Sequence, residues 1–141
     1  MRYAYPYVAA PEPESEFFIS FPDIPEALTG AATATEVEGV ARDALVTALS
    51  FYTDAGRPTP APSHGHKLVE VPVLAALKLA LHDAMLARGM SNVALARQMG
   101  TDEKAIRRMR DPTQATKVDS LEAALRLLGR RAEVNVLAGA A

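Results

Sequence analysis

The chain contains no cysteine. No disulfide framework, thiolate metal site or thiol nucleophile can therefore be built, stability must come from packing or association, and a reducing cytoplasm is the expected setting. No apolar run approaches the ~20 residues that a bilayer-crossing helix needs. The opening MRYAYPYVAA is too polar and too rich in tyrosine for a signal peptide, so a soluble intracellular protein with no membrane partner is expected. A phosphate loop is also missing, and only three histidines are present. His64-Gly-His66 has no third ligand beside it, which argues against a metal site, and no cofactor is expected. His82, beside Asp83 in a helical run, reads as structural or exposed.

What the sequence does hold is 141 residues that are 49% hydrophobic, enough for one ordinary domain or two small ones. Its net charge of −2 conceals a division. Residues 1–65 carry three basic side chains against nine acidic, and residues 66–141 carry twelve against eight. One half is suited to a polyanion and the other to something basic. The segment Gly56 to Gly65, with three prolines and two glycines, forbids continuous helix or strand and reads as a semi-rigid linker.

Ahead of it, Tyr3, Tyr5 and Tyr7 alternate with smaller residues, as do Phe17, Ile19 and Phe21, predicting two strands with one buried face each. Pro6 argues for an edge or a bulge in the first. The acidic turn Glu12 to Glu16 joins them as a hairpin, and a short third strand is expected near Thr29 to Ala32. Thr33-Ala-Thr-Glu36 is a capping-box pattern. Val37, Val40, Ala41, Ala44, Leu45, Ala48, Leu49 and Tyr52 follow at helical spacing, with Gly56 just beyond. Lys67 to Val71 reads as a further strand. The first unit, residues 1–71, is thus a small sheet with one packed helix, and the fold class is α+β.

Residues 72–141 read as mostly helical. Pro72 suits a first helical position, Val73 to Ala87 is rich in strong helix formers, and Gly89 ends the run. Ser91 can cap a helix over Asn92 to Met99, Gly100 supplies a left-handed stop, and Asp102 can cap Glu103 to Met109. Leu95 and Met99 face inward from the first helix, Ile106 and Met109 from the second, and Ala96 is small where the two must cross. The spacing of Ala96, Gly100 and Ile106 resembles the helix-turn-helix signature of phage-type repressors. An ordinary helical hairpin would show the same caps; the basic cluster on the second helix favours double-stranded DNA. Asp102, Glu103, Lys104 and Arg107, near the start of that helix, are the candidates for reading bases. Ser91, Arg97, Arg108, Arg110 and Lys117 are the candidates for phosphate contacts.

One such unit spans too few base pairs to be selective, so a dimer is expected. A fourth helix, opened by Thr116 or Asp119 and closed by Gly129, leads into Arg131 to Leu137, which alternates like a strand. Ala132, Val134 and Val136 would pair with a second copy across a two-fold axis, giving a homodimer or a tetramer built from dimers. Addition to the N-terminal sheet is the alternative.

Together FPDIPEALTG, TATEVEGVARDAL, VPVLAALKLALHDAM, SNVALARQMG and MRDPTQATKVDSLEAALRLLGRRAEVNV resemble HicB-type antitoxins that carry a repressor-like DNA-binding domain. The resemblance implies a partial RNase H-like N-terminal fold that blocks a HicA-type mRNA-cleaving toxin, the pair repressing its own operon. A toxin that binds RNA should be basic, which directs attention to Glu12, Glu14, Glu16, Asp23 and Glu26 as toxin contacts, although acids on a hairpin also serve solubility alone. Tyr3 to Val8 and Phe17 to Phe21 contain no acid, so the carboxylate cluster of an active RNase H is missing and no enzyme activity is expected. A stand-alone regulator with a ligand-sensing N-terminal domain is the alternative function.

Overall fold

The computed structural model describes residues 1–11 and 16–139. Strand β1 (Ala4–Pro6) pairs antiparallel with β5 (Leu68–Glu70), placing Tyr5 opposite Val69. Strands β2 (Val8–Pro11), β3 (Phe17–Ser20) and β4 (Leu28–Ala31) form an antiparallel meander with Ala9 opposite Ile19 and Ile19 opposite Thr29. The expected single strand over Tyr3 to Tyr7 is therefore corrected: the chain changes partner at Tyr7, whose amide donates to the Lys67 carbonyl at 3.1 Å. Pro6, with no N–H to give, sits on the strand that has one neighbour. The expected hairpin partner of Phe17 to Phe21 is corrected with it: β3 pairs with Val8–Pro11 and not with Tyr3 to Tyr7, and the expected turn residues Glu12 and Glu14 lie outside the described residues.

Helix α1 (Val37–Asp54) packs its apolar face on the sheets, and Tyr5, Ile19, Phe21, Ile24, Ala41, Leu45, Leu49 and Val69 form one core. The capping box does not form. A 3-10 turn over Ala34–Glu36 precedes α1, and the Thr33 hydroxyl lies 3.0 Å from that of Thr35 rather than on the Glu36 amide. Pro72 likewise stands one residue before α2 (Val73–Arg88), in extended backbone, rather than within it.

Four helices make the second core. In order they are α2, α3 (Asn92–Met99), α4 (Glu103–Arg110) and α5 (Val118–Leu127). Leu77, Leu81 and Met85 of α2 meet Leu95, Ile106, Met109, Leu121 and Leu125. Helix α2 also gives Ala75 and Leu79 to the first core, so one helix is common to both. Neither Thr116 nor Asp119 caps α5: Lys117, which has no acceptor to offer, occupies that position, and the Thr116 hydroxyl accepts from Lys78. Residues 131–139 form no strand in the single chain and add to neither sheet among the described residues. Ala132 packs on the second core, while Val134, Val136 and Leu137 stand exposed.

The proline-rich segment after α1 is bound down along its length. The Tyr5 hydroxyl donates to the Pro60 carbonyl at 2.7 Å, and Asp23 accepts from the Ser63 amide at 2.8 Å and its hydroxyl at 3.0 Å. Gly65 lies so close to Pro6 that an added Cβ would fall 2.6 Å from the proline Cβ. Gly65→Ala must therefore push a rigid ring or displace the segment, and a loss of about 1 to 3 kcal/mol is expected in urea unfolding.

Candidate nucleic-acid interface

Three local devices build the α3, turn, α4 unit. The Ser91 hydroxyl accepts from the Ala94 amide at 3.0 Å, opening α3. Gly100, at φ +69°, ends it in the left-handed region that a side chain would resist. The Asp102 carboxylate accepts from the Ala105 amide at 2.8 Å and opens α4. Leu95, Ala96, Ile106 and Met109 are buried between the helices and Met99 is half-buried, as their spacing predicts. The opposite face of α4 presents Lys104, Arg107 and Arg108 to solvent, and Arg97 and Lys117 are exposed as well.

The sequence-predicted residues are not equally free. Glu103 accepts from Arg107 Nη2 through both oxygens, at 2.8 and 2.9 Å, and from Asn92 Nδ2 at 3.1 Å. Those bonds, Asn92 first and Arg107 second, hold its carboxyl below the usual range. Arg110 departs from the expectation of a phosphate contact. It is half-buried, with Nε and Nη2 on His82 Nδ1 and Nη1 on Asn92 Oδ1, so its donors serve the fold. Arg107 and Arg110 line, with Thr53, Asp54, Gly56 and Asn92, a polar cleft of about 220 Å³.

Of the acids expected to meet a toxin, Glu16 is exposed. Asp23 fastens Ser63, and Glu26 accepts from the Tyr52 hydroxyl at 2.7 Å. Arg57 lies over the Tyr52 ring at 4.4 Å and 3.9 Å from Glu26, so this acid also secures the start of the connecting segment. Neither His64 nor His66 belongs to a group of three metal-ligating side chains among the described residues. No helix among the described residues is long and apolar enough to cross a membrane.

A polar face of α2 was not legible as such. Lys78 and His82 are fully buried. Lys78 Nζ donates to the Arg108 carbonyl at 2.9 Å and to Thr116 Oγ1 at 2.6 Å, tying α4 to the start of α5. Burial pulls its ammonium down to about 8, against the attraction of Asp111 and with the repulsion of Arg108. Asp83 accepts from the Tyr3 hydroxyl at 3.0 Å, from the Thr59 amide at 2.9 Å and from the Thr59 hydroxyl. His82 Nε2 donates to the Arg57 carbonyl at 2.7 Å. The one available signal was spacing: Leu74, Lys78, Leu81, His82 and Met85 share a helical stripe, which puts a lysine and a histidine where apolar residues belong.

Burial lowers the pKa of His82, with Arg110 acting in the same sense and the Arg57 carbonyl and Asp83 opposing. Below 6.5 the unfolded chain binds a proton at this site that the folded chain resists. The stability His82 contributes is therefore complete above about 6.5 and lost as pH falls through the folded value. The urea midpoint should drop between pH 7.5 and 5.5, and the drop should shrink in His82→Asn, which keeps an acceptor for Arg110 but cannot titrate.

Residues 4–80 match the sequence model of a family described as HicB_like antitoxin of bacterial toxin-antitoxin system. Similar proteins include Antitoxin HicB 2 of Photorhabdus laumondii, 43% identical over 122 residues, which is 86% of this chain and 88% of that protein. Antitoxin HicB of Escherichia coli K12 is 38% identical over 130 residues, covering 89% and 94%. Antitoxin HicB of Pseudomonas fluorescens is 33% identical over 129, covering 89% and 88%. The family model stops within α2, whereas these relatives align over nearly the whole chain, so the exposed cations of α4 belong to a protein of one continuous ancestry: the chain is a member of the HicB-like antitoxin family.

Proposed function

We propose that this antitoxin neutralises a HicA-type mRNA-cleaving toxin through its N-terminal unit, a partial RNase H-like layer without catalytic carboxylates, and represses its own operon through α3 and α4 acting as a DNA-binding helix-turn-helix. It is not an enzyme, works in the cytoplasm and binds operator DNA as a homodimer or a pair of dimers. The observation that carries the DNA half is the capped pair α3 and α4 closed by Gly100, with Lys104, Arg107 and Arg108 on one exposed face. Asp102, Glu103, Lys104 and Arg107 read bases; Ser91, Arg97, Arg108 and Lys117 touch phosphates. The exposed Val134 and Val136, which follow the packed Ala132, support pairing of the tail with a second copy.

The toxin half rests on family membership and on the acidic balance of residues 1–65. Selection of duplexes from a random pool tests the DNA half, which predicts enrichment of a two-fold repeat. Arg108→Ala should weaken every duplex alike and reduce the salt slope by about 1. An unchanged slope would remove Arg108 from the phosphate set.

A further inference from the structure

A continuous run of hydrogen bonds leads from the segment after α1 to the exposed face of α4. The Arg57 carbonyl accepts from His82 Nε2, and His82 Nδ1 accepts from Arg110 Nη2 at 2.7 Å and Nε at 3.1 Å. Arg110 Nη1 donates to Asn92 Oδ1 at 2.7 Å, Asn92 Nδ2 donates to Glu103, and Glu103 accepts from Arg107. The sense of every link is fixed by chemistry. A guanidinium only donates, so Nδ1 must offer its lone pair and Nε2 must carry the hydrogen. The carboxylate of Glu103 only accepts, so the Asn92 amide has one orientation.

Without Asn92, Glu103 would keep only Arg107, an exposed pair one helical turn apart that holds two long side chains weakly. With Asn92 anchored to the half-buried Arg110, the carboxylate has a fixed point, and Arg107 is held against it. We propose that Asn92 and Arg110, fixed by neutral His82, are positioning residues that set Glu103 and Arg107 for base readout, so that protonation of His82 lowers sequence discrimination while sparing phosphate-driven binding. This rests on the reading of α4 as the DNA-contacting helix.

Protonation would place an N–H on Nδ1 facing the guanidinium, setting two donors and two positive charges against each other where His82 is fully buried and Arg110 half-buried. Arg110 must then withdraw, releasing Asn92. The groups that face His82 are Arg110 from α4 and the Arg57 carbonyl from the connecting segment. Asp83 lies beside it on α2, with its carboxylate taken by Tyr3 and Thr59. Among the described residues the proton therefore has no carboxylate free to share it, and Arg110 bears the conflict.

The test uses full-length protein and two duplexes: one enriched by the wild type from a random pool at pH 7.5, and a scrambled duplex of equal length. At pH 7.5 Asn92→Ala, verified as folded by thermal unfolding, should bind the scrambled duplex as the wild type does and lose about 5-fold or more of its discrimination. The wild type should lose a similar factor as acid protonates His82, followed by the imidazole signals of His82 in NMR, and Asn92→Ala should lose little more. Should Asn92→Ala fail to fold, the pH profile of the wild type against His82→Asn decides, since only the wild type should lose discrimination in acid. Full discrimination in Asn92→Ala, or a wild-type ratio that does not change while His82 becomes protonated, overturns the proposal. If the wild type enriches no sequence at pH 7.5, the reading of α4 itself fails, and the positioning role falls with it.

Discussion

Asp83→Ala should unfold about 10 °C below the unaltered protein, and its proline-rich segment should become the first site of proteolysis. The carboxylate accepts from the Tyr3 hydroxyl and from both the amide and the hydroxyl of Thr59, joining the residue before β1, the connecting segment and α2 at one point. A hydrogen bond to a charged group is worth about 1.5 to 3 kcal/mol, and a donor left buried without a partner costs about 1 to 3 more. Thr59 is buried, so its amide finds no ready substitute in water. A net loss of about 3 kcal/mol in a chain of this size corresponds to the stated shift. Asp83→Asn keeps the volume and one acceptor oxygen, and it should fall between the two. A thermal unfolding series with limited proteolysis at residues 57–65 checks both halves of this expectation. Equal melting temperatures for the three proteins would mean that Asp83 does not hold the segment.

The second large effect is expected on DNA. Lys104 and Arg107 each stand exposed in the first two turns of α4, where side chains enter the major groove. Removing either should cost about 1 to 3 kcal/mol against the selected duplex and less against a scrambled one. The positions lie on one face of a single helix, so the double substitution need not be additive. Arg107→Ala has a secondary consequence, because it leaves Glu103 bound by Asn92 alone, an acid facing the groove without its cation. The loss at Arg107 should therefore exceed that at Lys104. A variant that keeps the wild-type preference after both changes would place base readout elsewhere.

How much of this was legible in the sequence depends on the range of the interaction. Ser91, Gly100 and Asp102 act on backbone groups within three residues, and their caps and turn stand where the spacing put them. The same logic does not hold at Thr33, where a 3-10 turn satisfies the amide of Glu36 through the Thr33 carbonyl and the hydroxyl turns to Thr35 instead. Local patterns state what a chain can do, and a backbone carbonyl can outcompete a hydroxyl for the same donor. The proline-rich segment illustrates a second limit. Its prolines exclude helix and strand, which was readable, but they do not decide whether the segment swings free or lies bound. That is decided by Tyr5, Asp23 and Asp83, which approach it from distant positions in the sequence.

Candidate site residues followed the same rule. The exposed cations of α4 were named from charge and position alone. Arg110 carries the same charge and sits on the same helix, yet it turns inward to His82 and Asn92. Nothing local distinguishes Arg108 from Arg110. The distinction comes from α2, which offers an imidazole lone pair on one side and a buried ammonium on the other. Lysine and histidine at apolar positions of α2 carried that information, and average hydropathy conceals it.

The central claim is that this polypeptide restrains a toxin. Growth of cells that express the reading frame adjacent to this gene, with and without this chain, tests it most directly. Arrest without the chain and growth with it is the predicted result. Arrest that persists when the folded chain is present, or a neighbour whose expression is harmless, would contradict the antitoxin role and leave a stand-alone regulator.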